Sequence, residues 1–222
     1  MNLGPYLLGP NDTPENGIYT GDARELAKAI PDESVDLIFT DPVYDRIDDY
    51  RWLAETGARV LRENGSMLAF CGNVYFSEVC GALLRFLDPC PPLAQYVVGA
   101  TGRIFNYSLQ LNLLMLAWFS KGRPTNKWMA VQQANPTRSE RGHGWGKNDL
   151  MIAYRLEKFI PVNDFAFDPF TGGGTVPAVC KMLSRRYLAF EIDPDVAQMA
   201  RDRVRHTQPP LPIEMPTQEV LL

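Results

Sequence analysis

The sequence predicts an α/β fold: a doubly wound, mostly parallel sheet with helices on both faces and one antiparallel strand pair. Three observations carry this. Short apolar runs alternate with amphipathic, helix-like segments through most of the 222 residues. Two of those runs, Val35 to Thr40 and Phe165 to Asp168, deliver an acid and a proline to a strand end, as Asp41-Pro42 and Asp168-Pro169. The stretches Tyr96 to Gly99 and Leu113 to Ser120 read as strands with no helical pattern between them, so they pair antiparallel.

Each element has its own local reason. Gly17 to Thr20 is a short strand. Ala23 to Ile30 is helical, with Leu26, Ala27 and Ile30 on one face. Val35 to Thr40 is an apolar central strand. Tyr50 to Leu61 is an amphipathic helix, stopped by Glu63-Asn64-Gly65. Ser66 to Phe70 is a strand and Val74 to Phe86 a helix. Asp88-Pro89-Cys90-Pro91-Pro92 breaks the pattern. The stripe Leu109, Leu111, Leu113, Leu114, Leu116 reads as core. From 121 to 148 periodicity disappears, which marks a long loop of the kind that is usually functional or disordered. Asp149 to Phe159 is a helix, with Asp149 placed to cap it. Strand Phe165 to Asp168, helix Thr175 to Leu183, strand Tyr187 to Ile192 and helix Asp195 to Val204 complete the alternation.

Size and composition fit one domain over 1–205, with a short basic loop at 121–148 and an extended, Pro-rich tail at 206–222. The 45% apolar content suffices for a core. A net charge of −4 gives no global case for nucleic acid, so any such surface must be local. Cys71, Cys80, Cys90 and Cys180 lack metal-ligand spacing and read as buried reduced thiols of a cytoplasmic protein. No metal is expected. Met1-Asn2-Leu3-Gly4-Pro5 has no basic leader character, and no apolar run reaches membrane-spanning length, so no membrane association is expected.

Phe170-Thr171-Gly172-Gly173-Gly174 is not a phosphate loop, because the Gly-Lys-Ser/Thr ending is missing. Asp168 just before it would repel a pyrophosphate. An acid there suits a cation, such as the α-ammonium of a methionine moiety. Glu191, about twenty residues on, ends the next apolar run, where an acid accepts hydrogen bonds from ribose hydroxyls. Together these select S-adenosylmethionine over a dinucleotide or ATP.

Asp41-Pro42-Val43-Tyr44 resembles the Asp-Pro-Pro-Tyr motif of amino-methyltransferases that act on DNA adenine N6 or cytosine N4. Asp168-Pro-Phe-Thr-Gly-Gly-Gly-Thr175 resembles their Asp-Pro-Phe-x-Gly-x-Gly-Thr cofactor loop. The acceptor motif precedes the cofactor loop, which is the order of the β class. Tyr19-Thr20-Gly21-Asp22 resembles the Gly-Asp segment that reads the cofactor's adenine. Arg59 to Ser66 resembles the Arg-Val-Leu-x-x-x-Gly-Ser segment. His143-Gly144-Trp145-Gly146-Lys147 resembles the His-Pro-x-x-Lys segment over the methionine end, and Phe190-Glu191-Ile192-Asp193 the ribose strand. The resemblance spans roughly 17–205. It implies a Rossmann-like S-adenosylmethionine methyltransferase sheet. It also implies that Asp22, Asp168, Phe170, Gly172, Gly174, Thr175, Glu191, His143 and Lys147 bind cofactor.

The implied chemistry accounts for the residue types at the acceptor site. An exocyclic aromatic amine is a poor nucleophile because its lone pair is delocalised into the ring. Asp41 and the carbonyl of Pro42 can each accept one N–H bond and localise that lone pair toward the methyl donor. Tyr44 can stack on a flipped base. Val43 stands where the family has a second proline, which spares the residue-42 carbonyl but reduces the stiffness of the turn. Gly144 and Asn148 replace prolines in the His-x-x-x-Lys segment.

Between Lys121 and Lys147 six cations face one acid, Glu140, with Trp128 and Trp145 interleaved. Arg123, Lys127, Arg138 and Arg141 are the candidates for nucleic-acid contact. So short a loop implies modest discrimination by a monomer, or recognition that uses a homodimer or partner subunit. The resulting expectation is a DNA methyltransferase acting on duplex DNA with a flipped base, at adenine N6. The alternatives are cytosine N4, RNA or another amine, and a catalytically weakened binding relative.

Overall fold

The computed structural model describes residues 12–97, 102–104, 109–111, 113–124, 132–134 and 149–208. In chain order the elements begin with β1 (Asn16–Thr20), α1 (Ala23–Leu26) continued by a 3-10 turn (Ala27–Ala29), β2 (Val35–Thr40), α2 (Ile47–Val60), β3 (Leu61–Cys71) and α3 (Phe76–Leu83). Then come β4 (Asp88–Pro89), β5 (Leu93–Val97), β6 (Gly102–Ile104), β7 (Leu109–Leu111), β8 (Leu113–Ser120) and β9 (Gln132–Ala134). The last are α4 (Asp149–Phe159), β10 (Phe165–Asp168), α5 (Thr175–Met182), β11 (Arg186–Glu191) and α6 (Pro194–His206).

The main sheet runs β1-β11-β10-β2-β3-β8-β5-β9, with β4 against β8. From β1 to β3 every pairing is parallel. β8 runs antiparallel to both β3 and β5. The chain winds outward one way from β2 and the other way from β10, and these two strands are neighbours. A crevice therefore opens beyond their carboxyl ends, where ligands of such sheets bind. Asp36 holds the pair together: its carboxylate accepts from Phe165 N at 2.8 Å and from Arg62 at 2.9 Å.

Strand alternation splits the core between two faces. Ile38, Met67, Phe167 and Phe190 point to one, under Leu26, Leu53 and Val79. Leu37, Phe39, Leu68 and Phe70 point to the other, under Ile152, Leu156 and Val179.

The predicted alternation is present, with informative differences at the edges. β3 is longer than expected because Glu63-Asn64-Gly65 does not end α2 as a turn. It lies inside the strand, with Asn64 at φ 67° and its N–H bonded to the Lys121 carbonyl at 2.6 Å. The antiparallel pair is β5 with β8, three residues earlier on the first strand than the pattern indicated. A ribbon of β6 and β7 sits between them in the chain, its strands too short to register as periodicity. Leu116 is core, whereas Leu113 is 41% exposed at the start of β8, so the leucine stripe is only partly buried. β9 interrupts the long loop and pairs parallel with β5. The tail beyond 208 lies outside the described residues.

Candidate active site

Parallel pairing puts the ends of β1, β11, β10 and β2 on one edge, and four acids follow: Asp22, Glu191, Asp168 and Asp41. Thr20 pairs with Glu191, and Gly21 N donates to the Glu191 carbonyl at 2.9 Å. Asp22 caps α1, its Oδ1 accepting from Arg24 N at 2.8 Å. Acids far apart in the chain thus meet because the sheet order makes their strands neighbours.

The loop from Phe170 to Gly174 turns tightly over β11. Thr171 N donates to the Phe190 carbonyl at 3.0 Å, and Gly174 N to the Thr171 carbonyl at 2.9 Å. Gly174 has φ 74°, and a Cβ there would lie 2.8 Å from the Ala200 Cβ on α6. It is glycine for close packing. Gly172 has φ 48°, and a Cβ on it would meet nothing within 4 Å, so its outer side is open. Glu191 is held by this loop: its Oε2 accepts from Gly172 N at 2.9 Å and its Oε1 from Asp193 N at 3.0 Å. Lone pairs remain on both oxygens for a ligand's hydroxyls. One organiser was not legible in the sequence. Arg203 of α6 donates to the Thr175 hydroxyl at 2.8 Å and to the Gly173 carbonyl at 3.3 Å, and it pairs with Asp149. It fastens the loop and the start of α5 to α4.

Asp168 is buried at the base of the loop. Burial pushes its carboxyl from 3.8 up to about 7, and the Asp41 charge adds to the rise. The Phe170 N–H, at 3.3 Å, pulls the other way. So do the nearby Thr40 and Thr171 hydroxyls, although neither reaches good hydrogen-bonding geometry and both oxygens stay without a partner. A buried acid that faces no cation among the described residues, beside two orphaned hydroxyls, suits a cationic ligand group.

The acceptor motif leaves β2 next to it. Asp41 is exposed, Pro42 is buried and Val43 is 55% exposed. Tyr44 is half-buried, its ring so close to Gly72 that a Cβ on that glycine would lie 3.2 Å from it. Burial holds the Tyr44 hydroxyl well above its ordinary pKa, and the charge and hydrogen bond of Asp41 reinforce this. Tyr50, fully buried, donates to the Phe70 carbonyl at 2.8 Å and pins α2 to β3. Trp52 of α2 meets the ring of Phe170 edge-on at 5.7 Å.

Arg123 does not join this edge. β8 runs away from it, pairing Ser120 with Ser66 at the start of the parallel stretch of β3. Arg123 therefore lies at the opposite end of the sheet, in a cleft of about 450 Å³ with Asp88, Trp118 and Ser120. Lys121 is bonded there to Glu33 at 3.0 Å. A second cleft of about 440 Å³ opens beside the acceptor motif, between Arg24 and Asp45 to Asp49. The second is the one beside the acceptor motif, and none of the four strand-end acids lines it. Lys127, Arg138, Arg141, His143 and Lys147 lie outside the described residues. Among the described residues there is no cluster of metal-ligating side chains and no helix long and apolar enough to cross a membrane. None of the four cysteines is in a disulfide.

Known proteins resemble both the sequence and the fold. The family model of the N6/N4 DNA methylases matches residues 117–202. The type II methyltransferase M.HinfI of Haemophilus influenzae is 24% identical over 92% of this chain and 73% of its own. The PvuII DNA methyltransferase, described as cytosine-N4-specific, superposes with a TM-score of 0.78 at 16% identity, covering 86% of this chain and 87% of its own. The M1.HpyAVI–SAM complex gives 0.70 at 23% identity, over 84% and 98%. The fold is that of the Rossmann-like methyltransferases.

Proposed function

We propose that this chain, whose matches support the amino-methyltransferase class, moves a methyl group from S-adenosylmethionine to an exocyclic amine of a DNA base. Adenine N6 is our preferred acceptor, because the motif begins with Asp41 where cytosine-N4 members more often begin with serine. The cytosine-N4-specific neighbour shares the fold, so the fold does not choose the base.

The observation that carries the reading is the convergence of Asp168 and Asp41 at the ends of neighbouring strands. S-adenosylmethionine supplies an activated methyl on a sulfonium. The chain's own work is then positioning and electrostatics. Asp168 would hold the ammonium, Glu191 the ribose hydroxyls and Asp22 the adenine side. Phe170, Gly172, Gly174 and Thr175 shape the loop: Gly172, open on its outer side, lets backbone approach the ligand, and Gly174 packs the loop against α6. Asp41 and the Pro42 carbonyl accept the two amine N–H bonds, and Asp41 would take the proton that the methylated amine sheds. Tyr44 stacks on the base. His143 and Lys147 would close the methionine end, and Lys127, Arg138 and Arg141 would meet phosphates of duplex DNA. Arg123 is left out of that face because it sits at the other edge of the sheet.

Labelled S-adenosylmethionine offered with DNA, RNA and protein pools tests the acceptor class. Label in DNA at N6-methyladenine is the expected result. Asp41→Ala should abolish transfer while cofactor affinity stays within about tenfold, ~1.4 kcal/mol. Loss of cofactor binding would move Asp41 into the cofactor site, and label confined to RNA or protein would overturn the DNA reading.

A further inference from the structure

We propose that Trp52 is a positioning residue that links the cofactor loop to the acceptor motif through α2. The inference rests on reading Asp41 to Tyr44 as the acceptor motif.

The path is continuous. Arg46 N donates to the Val43 carbonyl at 3.1 Å and Asp49 N to the Arg46 carbonyl at 3.0 Å, so the motif runs by hydrogen bonds into the first turn of α2. That turn touches both segments assigned to the cofactor. Asp49 pairs with Arg24 at 2.5 Å, and the Arg24 backbone is held by Asp22. Three residues on, and so on the same helix face, Trp52 packs edge-on against Phe170, which stands between Asp168 and Gly172. Both rings are half-buried against one core cluster. Tyr50, between them in sequence, is bonded to β3 and fixes the roll of the helix. A shift of Phe170 therefore reaches α2 through Trp52, and α2 carries it to Val43 and Tyr44. Packed side chains of this kind transmit displacement because a close-packed interior does not absorb it.

Hydrogen exchange on the full chain, with and without S-adenosylmethionine, tests this without an acceptor. In the wild type the cofactor should slow exchange at 170–175 and also at 46–53, the latter by about fivefold or more, the lower end of ordinary coupling. Trp52→Leu should keep the first effect and lose the second. Trp52→Phe should restore it, and Phe170→Leu should uncouple from the other side. Equal protection of 46–53 in Trp52→Leu and wild type would overturn the proposal. So would a wild type protected only in the loop, or in neither segment. A failure of methyl transfer to every acceptor would instead sink the reading of the motif while leaving the exchange result in place.

Discussion

Replacing Asp168 with asparagine should stabilise the ligand-free protein at high pH and weaken its hold on cofactor. In the fold the carboxyl is raised from 3.8 to about 7 by burial. Between those values the folded state keeps a proton that the unfolded chain releases. Raising the pH through this window therefore costs stability, from nothing below the unfolded value to the full amount above about 7. At about 1.4 kcal/mol per unit, the full window is worth roughly 4 kcal/mol, and the part between pH 5 and 8 roughly 3 kcal/mol. Asparagine keeps the shape and an oxygen for the Phe170 N–H but does not titrate. Titrating groups that do not interact with Asp168 cancel when mutant and wild type are compared. For a chain of this size each kcal/mol moves the melting temperature by about 2–4 °C, so the gap should widen in the mutant's favour by roughly 6–12 °C from pH 5 to pH 8. Thermal melts in matched buffers measure this. Calorimetry at pH 7.5 should show cofactor affinity down by about thirtyfold, the ~2 kcal/mol of a charged hydrogen bond. Parallel melting curves across pH would refute the buried-acid argument, and unchanged affinity would refute the pairing with a cation.

The other expectations follow from the loop and its surroundings. Glu191→Gln should weaken cofactor binding, and it should also destabilise the apo protein by about 1 kcal/mol, a fall of about 2–4 °C in melting temperature. The reason is that both carboxylate oxygens accept backbone N–H bonds, and a misfit confined to cofactor binding would contradict that structural role. Gly174→Ala combines a left-handed φ with a collision against Ala200, so denaturant melts should show a loss of roughly 1–3 kcal/mol. A neutral result would mean that α6 moves freely. Replacing Arg138 and Arg141 with alanine should weaken DNA binding for all sequences alike and flatten the salt dependence by about one unit for each phosphate no longer neutralised. An unchanged slope would place the DNA face elsewhere.

The alternation of elements, the parallel sheet, the antiparallel pair and the four acids at strand ends were all legible in the sequence. Each rests on information local to a few residues: periodicity, a proline after an acid, a run of glycines. What lay beyond reach were the β6–β7 ribbon, whose strands of three residues carry no period, and every relation between distant segments. No local pattern distinguishes a Trp52 that meets Phe170 from one that merely packs. None reveals that Arg203 ties down Thr175, or that Arg123 leaves from the far end of the sheet. The meaning of Asp168 also changed with the fold. As a letter in a motif it is an acid near a cation site. Only the sheet order, with β2 and β11 closing on either side of β10, removes it from water, and removal from water is what raises its pKa.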